Sequence, residues 1–279
     1  MDRRSLLTAG AGLAAGSALV AAQSPQALAQ AQAPAAGALR SRLQTIQQNG
    51  TLRCGTTGDF NPMSFRDPTT RELRGHQIDC ANKLAADLGV KVEFVPTTWP
   101  TLISGLTANQ YDIVTTGTSM SVARMKASAF TIPWGRNAFL PLARKDAAAK
   151  FKTWDDVNSP NTTVGFNLGT TMEQFVTSEL PKAKVRRVES PVRDFQELLA
   201  GRVDLTITSL VEGSQLVVEH PNLTMVLQDN PKNSIPLCFM SAIDDLVWLN
   251  FLNNWIVLRQ ASGFFDELND KYKLVLHKG

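Results

Sequence analysis

Four polar stretches of the sequence carry residue types that suit a small ligand. The first is residues 56–62, Thr-Thr-Gly-Asp-Phe-Asn-Pro, just past a predicted strand. Ligands of parallel α/β sheets bind beyond the carboxyl ends of the strands, and Phe60 could stack on a ring there. The same composition is also typical of an ordinary turn. Both interpretations remain open for this stretch.

The second stretch, residues 115–124, combines a hydroxyl-rich loop with an arginine. It reads Thr-Thr-Gly-Thr-Ser-Met-Ser-Val-Ala-Arg, a strand end followed by a loop and a helix start. Free backbone amides at a helix start, together with one guanidinium group, can hold a carboxylate. Serine and threonine alone could be helix caps, so it is the arginine that favours binding. The candidate ligand contacts are Gly117, Ser119, Ser121 and Arg124.

The third stretch, residues 167–173, repeats the pattern of strand, glycine loop and helix start. It reads Asn-Leu-Gly-Thr-Thr-Met-Glu. The helix dipole and the free amides favour an anion, so Thr170 and Thr171 are candidate ligand contacts. Glu173 has two interpretations: an acid that complements the dipole, or a proton donor to a leaving group.

The fourth stretch, residues 204–212, places Ser209 at the end of a predicted strand. A strand end that faces the same cleft would make Ser209 a hydrogen-bonding contact. Trp99, which precedes Pro100, fits a helix start with proline in its first turn, and it could also line the cleft.

Several classes of site are disfavoured by what the sequence lacks. It contains no G-x-S-x-G, H-E-x-x-H, Walker or G-x-G-x-x-G motif, which argues against hydrolase triads, metalloproteases and nucleotide enzymes. The three histidines are scattered and no C-x-x-C is present, so neither a metal site nor a cofactor is predicted. The three cysteines, Cys54, Cys80 and Cys238, are either buried thiols or one disulfide and one free thiol.

Composition indicates a folded chain without a nucleic-acid partner. Of 279 residues, 43% are hydrophobic, which excludes disorder of the whole chain, and the length suits one large or two modest domains. The net charge is +3 with mixed signs and no lysine or arginine cluster. Nucleic acid is therefore a poor candidate partner.

The amino terminus has the pattern of an export signal. Paired Arg3 and Arg4 precede an apolar stretch at 6–22, and the small-x-small sequence Ala-Leu-Ala follows at 27–29. Residues 1–29 are predicted to be a signal peptide of the twin-arginine type, followed by a flexible tail at 30–40. A membrane anchor is the alternative, but the apolar run is shorter than the ~20 residues of a span. We therefore expect a periplasmic protein with no stable membrane insertion after cleavage.

The rest of the chain alternates strands and helices, which predicts an α/β fold. Strands are predicted at 50–56, 90–95, 111–114, 163–167, 184–188, 203–208, 223–227 and 234–242. Helices are predicted at 78–88, 99–108, 121–129, 152–157, 172–180, 192–200, 210–219, 245–260 and 263–272. The pattern restarts midway, which indicates two lobes: residues 41–140 with 236–279, and residues 141–235. Crossings at 136–145 and 230–240 would leave a ligand cleft between the lobes.

Taken together, residues 41–272 resemble the periplasmic solute-binding proteins of family 3, the amino-acid-binding type. The resemblance includes the helix at 248–255. It implies a two-lobe type II periplasmic-binding fold with two crossing strands, a small carboxylate or amino-acid-like ligand, and an ABC permease as partner. It also implies that Arg124, the loop at Gly117 and Ser119, and the amide of Thr171 hold the carboxylate, with Phe60 packed on the ligand. The family usually has an aspartate for the α-ammonium group where this chain has Ser209, which indicates a carboxylate without an amino group.

Within that superfamily, three stretches resemble the cyclohexadienyl dehydratases, exported enzymes of the same fold. They are residues 56–62, 96–102 and 167–173. These enzymes remove water and carbon dioxide from prephenate or arogenate, and their general acid falls on the position of Glu173. The chain departs from them at Ser121, at His76-Gln77 and at 135–137. Two functions therefore remain: an ABC-importer binding protein, and a dehydratase in which Glu173 is catalytic.

Overall fold

The computed structural model describes residues 41–278. The predicted signal peptide at 1–29 and the predicted tail at 30–40 lie outside the described residues, and both stay predictions.

The described chain alternates helices and strands along most of its length. Its α-helices are α1 (Arg42–Asn49), α2 (His76–Leu88), α3 (Leu102–Thr107), α4 (Val122–Met125), α5 (Trp154–Val157), α6 (Thr171–Glu179), α7 (Asp194–Leu199), α8 (Leu210–Glu219), α9 (Leu246–Ala261) and α10 (Phe264–Lys271). Its strands are β1 (Thr51–Thr56), β2 (Asp59–Phe60), β3 (Ser64–Arg66), β4 (Leu73–Arg74), β5 (Lys91–Pro96), β6 (Ile113–Val114), β7 (Ala129–Phe130), β8 (Gly135–Arg144), β9 (Thr163–Asn167), β10 (Lys184–Val188), β11 (Leu205–Ser209), β12 (Leu223–Met225), β13 (Lys232–Leu237) and β14 (Met240–Ser241).

The first sheet has the order β5-β1-β6-β14-β7. Strands β5, β1 and β6 are parallel, and β14 is antiparallel to β6 and β7. Apolar side chains of β1 pack in one core with residues of α2, α9 and α10, among them Leu52, Leu84, Trp248 and Phe265. The small antiparallel sheet β2-β3-β4 follows β1 directly in the chain.

The second sheet has the order β10-β9-β11-β8-β12, with β13 also paired to β8. Strands β10, β9 and β11 are parallel, whereas β8 is antiparallel to β11, β12 and β13. Its core contains Phe139, Val164, Phe166 and Ile207. Strand β9 matches its predicted limits, 163–167.

The chain passes between the two sheets twice, which confirms the α/β fold with two crossings. It leaves the first sheet after β7 to form β8, and it returns between β13 and β14. The single strand predicted at 234–242 is wrong, because the chain changes sheets within it. Cys238 N donates to Thr118 O at 3.0 Å, and Phe239 N donates to Thr131 Oγ1 at 3.0 Å. The division into lobes at 41–140 with 236–279, and 141–235, stays a prediction.

Three predicted helices begin or end differently from expectation. The helix predicted at 192–200 begins at Asp194, because Arg193 is extended and its N–H donates to Gln196 Oε1 at 2.9 Å. The helix at 99–108 starts with a 3₁₀ turn, Trp99–Thr101, before α3. The helix predicted at 121–129 is the single turn α4. The hydrophobic pattern does not predict α1, since only Ile46 of that helix is buried.

Three further findings bear on the classes of site considered above. All three cysteines are free and buried, which confirms the interpretation as thiols. No three metal-ligating side chains lie together within residues 41–278. None of the helices in that range is long and apolar enough to cross a membrane.

Candidate functional site

A small cavity lies where loops of the two sheets meet. The structure brings seven of the predicted site residues to its wall: Phe60, Trp99, Gly117, Ser119, Arg124, Thr170 and Thr171. The other residues of the wall are Asn137, Asn167, Met172, Arg193, Asp194, Ile207 and Glu212. The cavity is thus lined by apolar and aromatic groups with a few charged side chains, as small-molecule sites usually are.

Two aromatic side chains form one wall. The rings of Phe60 and Trp99 meet edge to face with centroids 6.0 Å apart. Trp99 Nε1 donates to the carboxylate of Asp59 at 3.1 Å, which fixes the indole ring. Gly117 lies against this wall with φ +84°, and a Cβ there would come within 2.9 Å of the Phe60 ring. Only glycine satisfies both the backbone conformation and the space.

Arg124 is a buried cation without an acidic partner. It is 6% exposed, and its Nη1 and Nη2 donate to the carbonyl oxygens of Ser119 and Gly169, each at 3.0 Å. Its guanidinium carbon lies 6.0 Å from the centre of the Trp99 ring. Burial lowers the pKa of Arg124 to about 10. In the described part of the chain no carboxylate forms an ion pair with it, so its charge is left for an anion in the cavity.

The loop at Gly169 connects the two sides of the cavity. Its carbonyl accepts from Arg124, and its N–H donates to Glu173 Oε2 at 2.8 Å. Gly169 has φ +75°, and a Cβ would come within 2.5 Å of Pro100 N. The loop that leads into α6 therefore touches the turn that leads into α3, which closes the cavity on this side.

The amino terminus of α6 supplies amide donors next to Arg124. Thr170 is the N-cap, and its Oγ1 accepts from Glu173 N at 3.3 Å. The first N–H groups of a helix have no partner within the helix, so the amides of Thr171 and Met172 remain available at the cavity wall. Two amides and a guanidinium group are a suitable set of donors for a carboxylate.

Three predicted site residues do not lie at the cavity wall. Ser121 caps α4, where its Oγ accepts from Arg124 N at 3.4 Å. Ser209 caps α8, where its Oγ accepts from Glu212 N at 3.1 Å. Glu173 binds the Gly169 amide through its carboxylate. The ligand contacts of Ser121 and Ser209 and the catalytic role of Glu173 stay predictions.

A charged cluster at the cavity wall, around Arg193, was not among the predicted sites. Arg193 Nη1 donates to the carbonyl oxygen of Asp59 at 2.7 Å and lies 3.1 Å from its carboxylate. Arg193 Nη2 lies 2.6 Å from Glu212 Oε1. Asp59 belongs to the small sheet after β1, whereas Glu212 belongs to α8. Arg193 therefore joins the two sides of the cavity through ion pairs.

Asp194 completes this cluster. Its side chain is 6% exposed and lines the cavity. Oδ1 accepts from Phe195 N at 2.9 Å, and the backbone N–H donates to Asn167 Oδ1 at 3.1 Å. No basic side chain of the described residues forms an ion pair with it. It is a buried carboxylate that the charge of Arg193 stabilises, although Arg193 forms its ion pairs with two other carboxylates.

Burial and mutual repulsion shift the pKa values of the cluster. Burial raises the pKa of Glu212 to about 7, and the charges of Asp194 and Asp59 act in the same direction while Arg193 opposes them. Burial raises the pKa of Asp194 to about 6, again against the effect of Arg193. Although burial disfavours the guanidinium charge, Glu212 and Asp59 hold the pKa of Arg193 well above its usual value.

The sequence contains only a weak signal for the cluster. Arg193 and Asp194 resemble an ordinary polar helix start, and Asp59 follows a glycine in a turn-like stretch. Arg193 and Asp59 are separated by 134 positions. Their contact depends on how the two sheets come together, which no local pattern specifies.

Comparisons with known proteins agree with this fold. Residues 52–275 match the model of the bacterial extracellular solute-binding proteins, family 3. A cyclohexadienyl dehydratase of Pseudomonas aeruginosa is 31% identical over 228 residues, which cover 81% of this chain and 84% of the relative. An L-cystine-binding protein of Escherichia coli is 26% identical over 231 residues, 82% of this chain and 85% of the relative.

A solved structure extends the comparison. The ancestral amino acid-binding protein AncCDT-1, described as a precursor of cyclohexadienyl dehydratase, aligns with a TM-score of 0.78 at 37% identity. The alignment covers 83% of this chain and 99% of that one. The architecture is thus the type II periplasmic-binding fold predicted from the sequence. The chain belongs to the bacterial extracellular solute-binding proteins of family 3.

Proposed function

We propose that the protein is the periplasmic solute-binding component of an ABC-type importer and that it closes on a small, amino-acid-like carboxylate. The observation that carries this proposal is the buried guanidinium group of Arg124, which lines the cavity and has no acidic partner in the described part of the chain. A buried charge is costly unless it is paired, and a ligand carboxylate would pair it.

The ligand carboxylate would bind between Arg124 and the amino terminus of α6. Arg124 supplies charge-assisted hydrogen bonds, and the amides of Thr171 and Met172 supply neutral ones. The aromatic wall of Phe60 and Trp99 would pack on the apolar part of the ligand. The cavity would exclude water from these contacts and so strengthen them.

Export and delivery are part of the proposal. The paired arginines and the apolar stretch at the amino terminus support passage by the twin-arginine route. Membership in family 3 supports a small-molecule ligand and a permease partner. The cystine-binding and amino-acid-binding relatives support a ligand with an amino-acid-like carboxylate.

The test is calorimetric titration of the purified exported protein with L-arginine, L-cystine, L-phenylalanine and their 2-hydroxy analogues. We expect at least one probe to bind, and Arg124→Gln to weaken that binding by at least about 50-fold, because a charged hydrogen-bond partner is lost. Arg71→Gln, at an exposed arginine, is the matched control and should bind like the wild type. Undiminished affinity in Arg124→Gln would overturn the site.

The second candidate function is that of a cyclohexadienyl dehydratase, favoured by the similarity to the dehydratase of P. aeruginosa. In this function Glu173 would donate a proton to the departing hydroxyl group while Arg124 holds a carboxylate. Glu173 Oε2 accepts from the Gly169 amide at 2.8 Å, so proton donation would require the carboxyl group to turn toward the cavity.

The dehydratase is tested by adding prephenate to the protein at neutral pH and following phenylpyruvate by its absorbance. Turnover that disappears in Glu173→Gln while prephenate still binds would establish the enzyme. The exposed Glu179, in the last turn of the same helix, offers the matched control Glu179→Gln. Absence of turnover in the wild type would leave the binding protein.

A further inference from the structure

Helix α9 is apolar on both its inner and its outer face. The inner face lies in the core of the first sheet, where its buried side chains are Trp248, Leu252, Trp255 and Ile256. The outer face also carries large apolar side chains, each more than half exposed: Leu246, Val247, Val257 and Leu258. The outer face of a surface helix usually carries polar and charged residues instead.

The exposed residues of α9 form one stripe, the outer stripe. Its members share one side of the helix because they recur at spacings of three or four: Leu246, Val247, Asn250, Asn254, Val257 and Leu258. Residues 246–258 contain no aspartate, glutamate, lysine or arginine. The next helix, α10, exposes Asp266, Glu267 and Asp270. The outer stripe is therefore a neutral apolar surface beside an ordinary charged one.

The outer stripe is large enough to bind a protein. Together with Ile243, which is 51% exposed just before the helix, its apolar side chains present roughly 500 Å² to water. Apolar patches of this size are often interaction sites. Two such surfaces in contact would bury about 1,000 Å², the lower limit for a specific interface. A second copy of the chain would therefore supply enough area for a weak dimer.

The order of residues along the outer stripe is the same in both directions. Leu-Val at 246–247 and Val-Leu at 257–258 enclose Asn250 and Asn254 at equal spacings. In an antiparallel pair of α9 helices, residues 246–247 of one copy would face residues 257–258 of the other, with the asparagines at the centre. A two-fold symmetric interface requires a surface that is complementary to itself in this way.

We propose that the protein forms a symmetric dimer in which the outer stripes of two α9 helices pack antiparallel. Burial of apolar side chains drives the association, and two uncharged surfaces meet without repulsion. The central asparagines hydrogen-bond across the two-fold axis and fix the register of the helices. None of residues 246–258 lines the ligand cavity, so the inference does not depend on the proposed function.

The test is analytical ultracentrifugation of the purified exported protein from about 1 µM to about 200 µM. The wild type should change from monomer to dimer over this range. Val247→Glu and Leu258→Lys each place two charges in the apolar interface and should weaken association at least about 10-fold. Both variants should fold, because an acid near the start of a helix and a base near its end favour the helix dipole.

The matched control is Val218→Lys, which changes a 75% exposed valine in the last turn of α8. It adds the same charge at the same end of a helix, but outside the outer stripe. Val218→Lys should dimerise like the wild type.

A mixture of the two α9 variants tests the antiparallel arrangement. In a mixed dimer the glutamate introduced by Val247→Glu would face the lysine introduced by Leu258→Lys at one end, while unchanged residues would meet at the other. Equal amounts of the two variants should therefore associate within about threefold of the wild-type affinity. An arrangement in which residue 247 does not face residue 258 gives no such recovery.

Two results would overturn the dimer. One is a wild type that stays monomeric over the whole range, which would mean that a different partner, such as a permease or a lipid surface, covers the outer stripe. The other is undiminished association in both Val247→Glu and Leu258→Lys. Weakened variants that do not recover on mixing would overturn the antiparallel pairing of the two helices.

Discussion

Two buried guanidinium groups line the same cavity in opposite electrostatic settings. Arg124 donates to two carbonyl oxygens and has no acidic partner within residues 41–278, and burial lowers its pKa to about 10. Arg193 lies between Asp59 and Glu212, and its pKa is held well above the usual value despite burial. The two arginines therefore have different roles in the same site. The charge of Arg193 holds the walls together, whereas the charge of Arg124 remains for the ligand.

The largest expected effect is on stability and distinguishes the two arginines. Arg193→Met leaves the carboxylates of Glu212 and Asp59 without their cation and should lower the free energy of unfolding by about 4 kcal/mol. Arg124→Met loses two hydrogen bonds to carbonyl groups but also removes a buried cation that has no acidic partner within residues 41–278. Because the second effect offsets the first, its cost should stay below about 1.5 kcal/mol. Urea unfolding of the ligand-free variants, compared at pH 7.5, measures both.

Equal losses of stability in these two variants would contradict the comparison. Arg71→Met, at an exposed arginine, is the control for the change in side-chain type. It should shift the free energy of unfolding by less than about 0.5 kcal/mol.

The second prediction concerns the pair formed by Arg193 and Glu212. Replacing both members with apolar side chains removes the uncompensated charge that either single change leaves. The double variant Arg193→Met/Glu212→Leu should therefore recover about 2 kcal/mol relative to Arg193→Met alone. The measurement is a double-mutant cycle by urea unfolding. Strictly additive single effects would show that the two side chains do not interact.

The difference between the two arginines also marks the limit of what the sequence predicts. The loop at Gly117 and the helix start that carries Arg124 are contiguous in sequence, so residue types and their spacing are sufficient to predict them. The same holds for Thr170 and Thr171 at the start of α6. The cluster around Arg193 is assembled from three distant stretches, and its partner Asp59 is 134 positions away.

The fold shows the same limit. Strands β9 and β10 have their predicted bounds, because short runs of suitable residues are bounded by turn signals on both sides. The prediction for 234–242 failed where the hydrogen-bond partners change from one sheet to the other, at Cys238 and Phe239. That change depends on tertiary contacts, since the local sequence continues to favour a strand.

The third prediction concerns the role of Ser209 next to this cluster. Ser209→Ala removes the acceptor for Glu212 N at the start of α8 and should lower the free energy of unfolding by about 1 kcal/mol, as the loss of a helix cap does. Ligand affinity should stay within twofold, measured by calorimetry. Ser209→Asn keeps a capping side chain and is the control. A large loss of affinity in both variants would instead establish Ser209 as a ligand contact.

The smallest expected effect is a pH dependence of the free energy of unfolding, which arises from Glu212 in the cluster around Arg193. Burial raises the pKa of Glu212 to about 7, whereas a glutamate in the unfolded chain titrates near 4, so between these values the folded state binds the additional proton. The corresponding stability is complete below the unfolded pKa and is lost as pH rises through the folded one. From pH 6.5 to pH 8 the loss due to Glu212 should be about 0.8 kcal/mol.

The three buried thiols also ionise more readily when unfolded, so the informative quantity is the difference in pH dependence between the wild type and Glu212→Gln. Glu212→Gln should remove most of that loss in urea unfolding, while Arg124→Met should retain it. An unchanged pH dependence in Glu212→Gln would show that the cluster holds no proton near neutral pH. The electrostatic settings of Arg124 and Arg193 would then differ less than their contacts indicate.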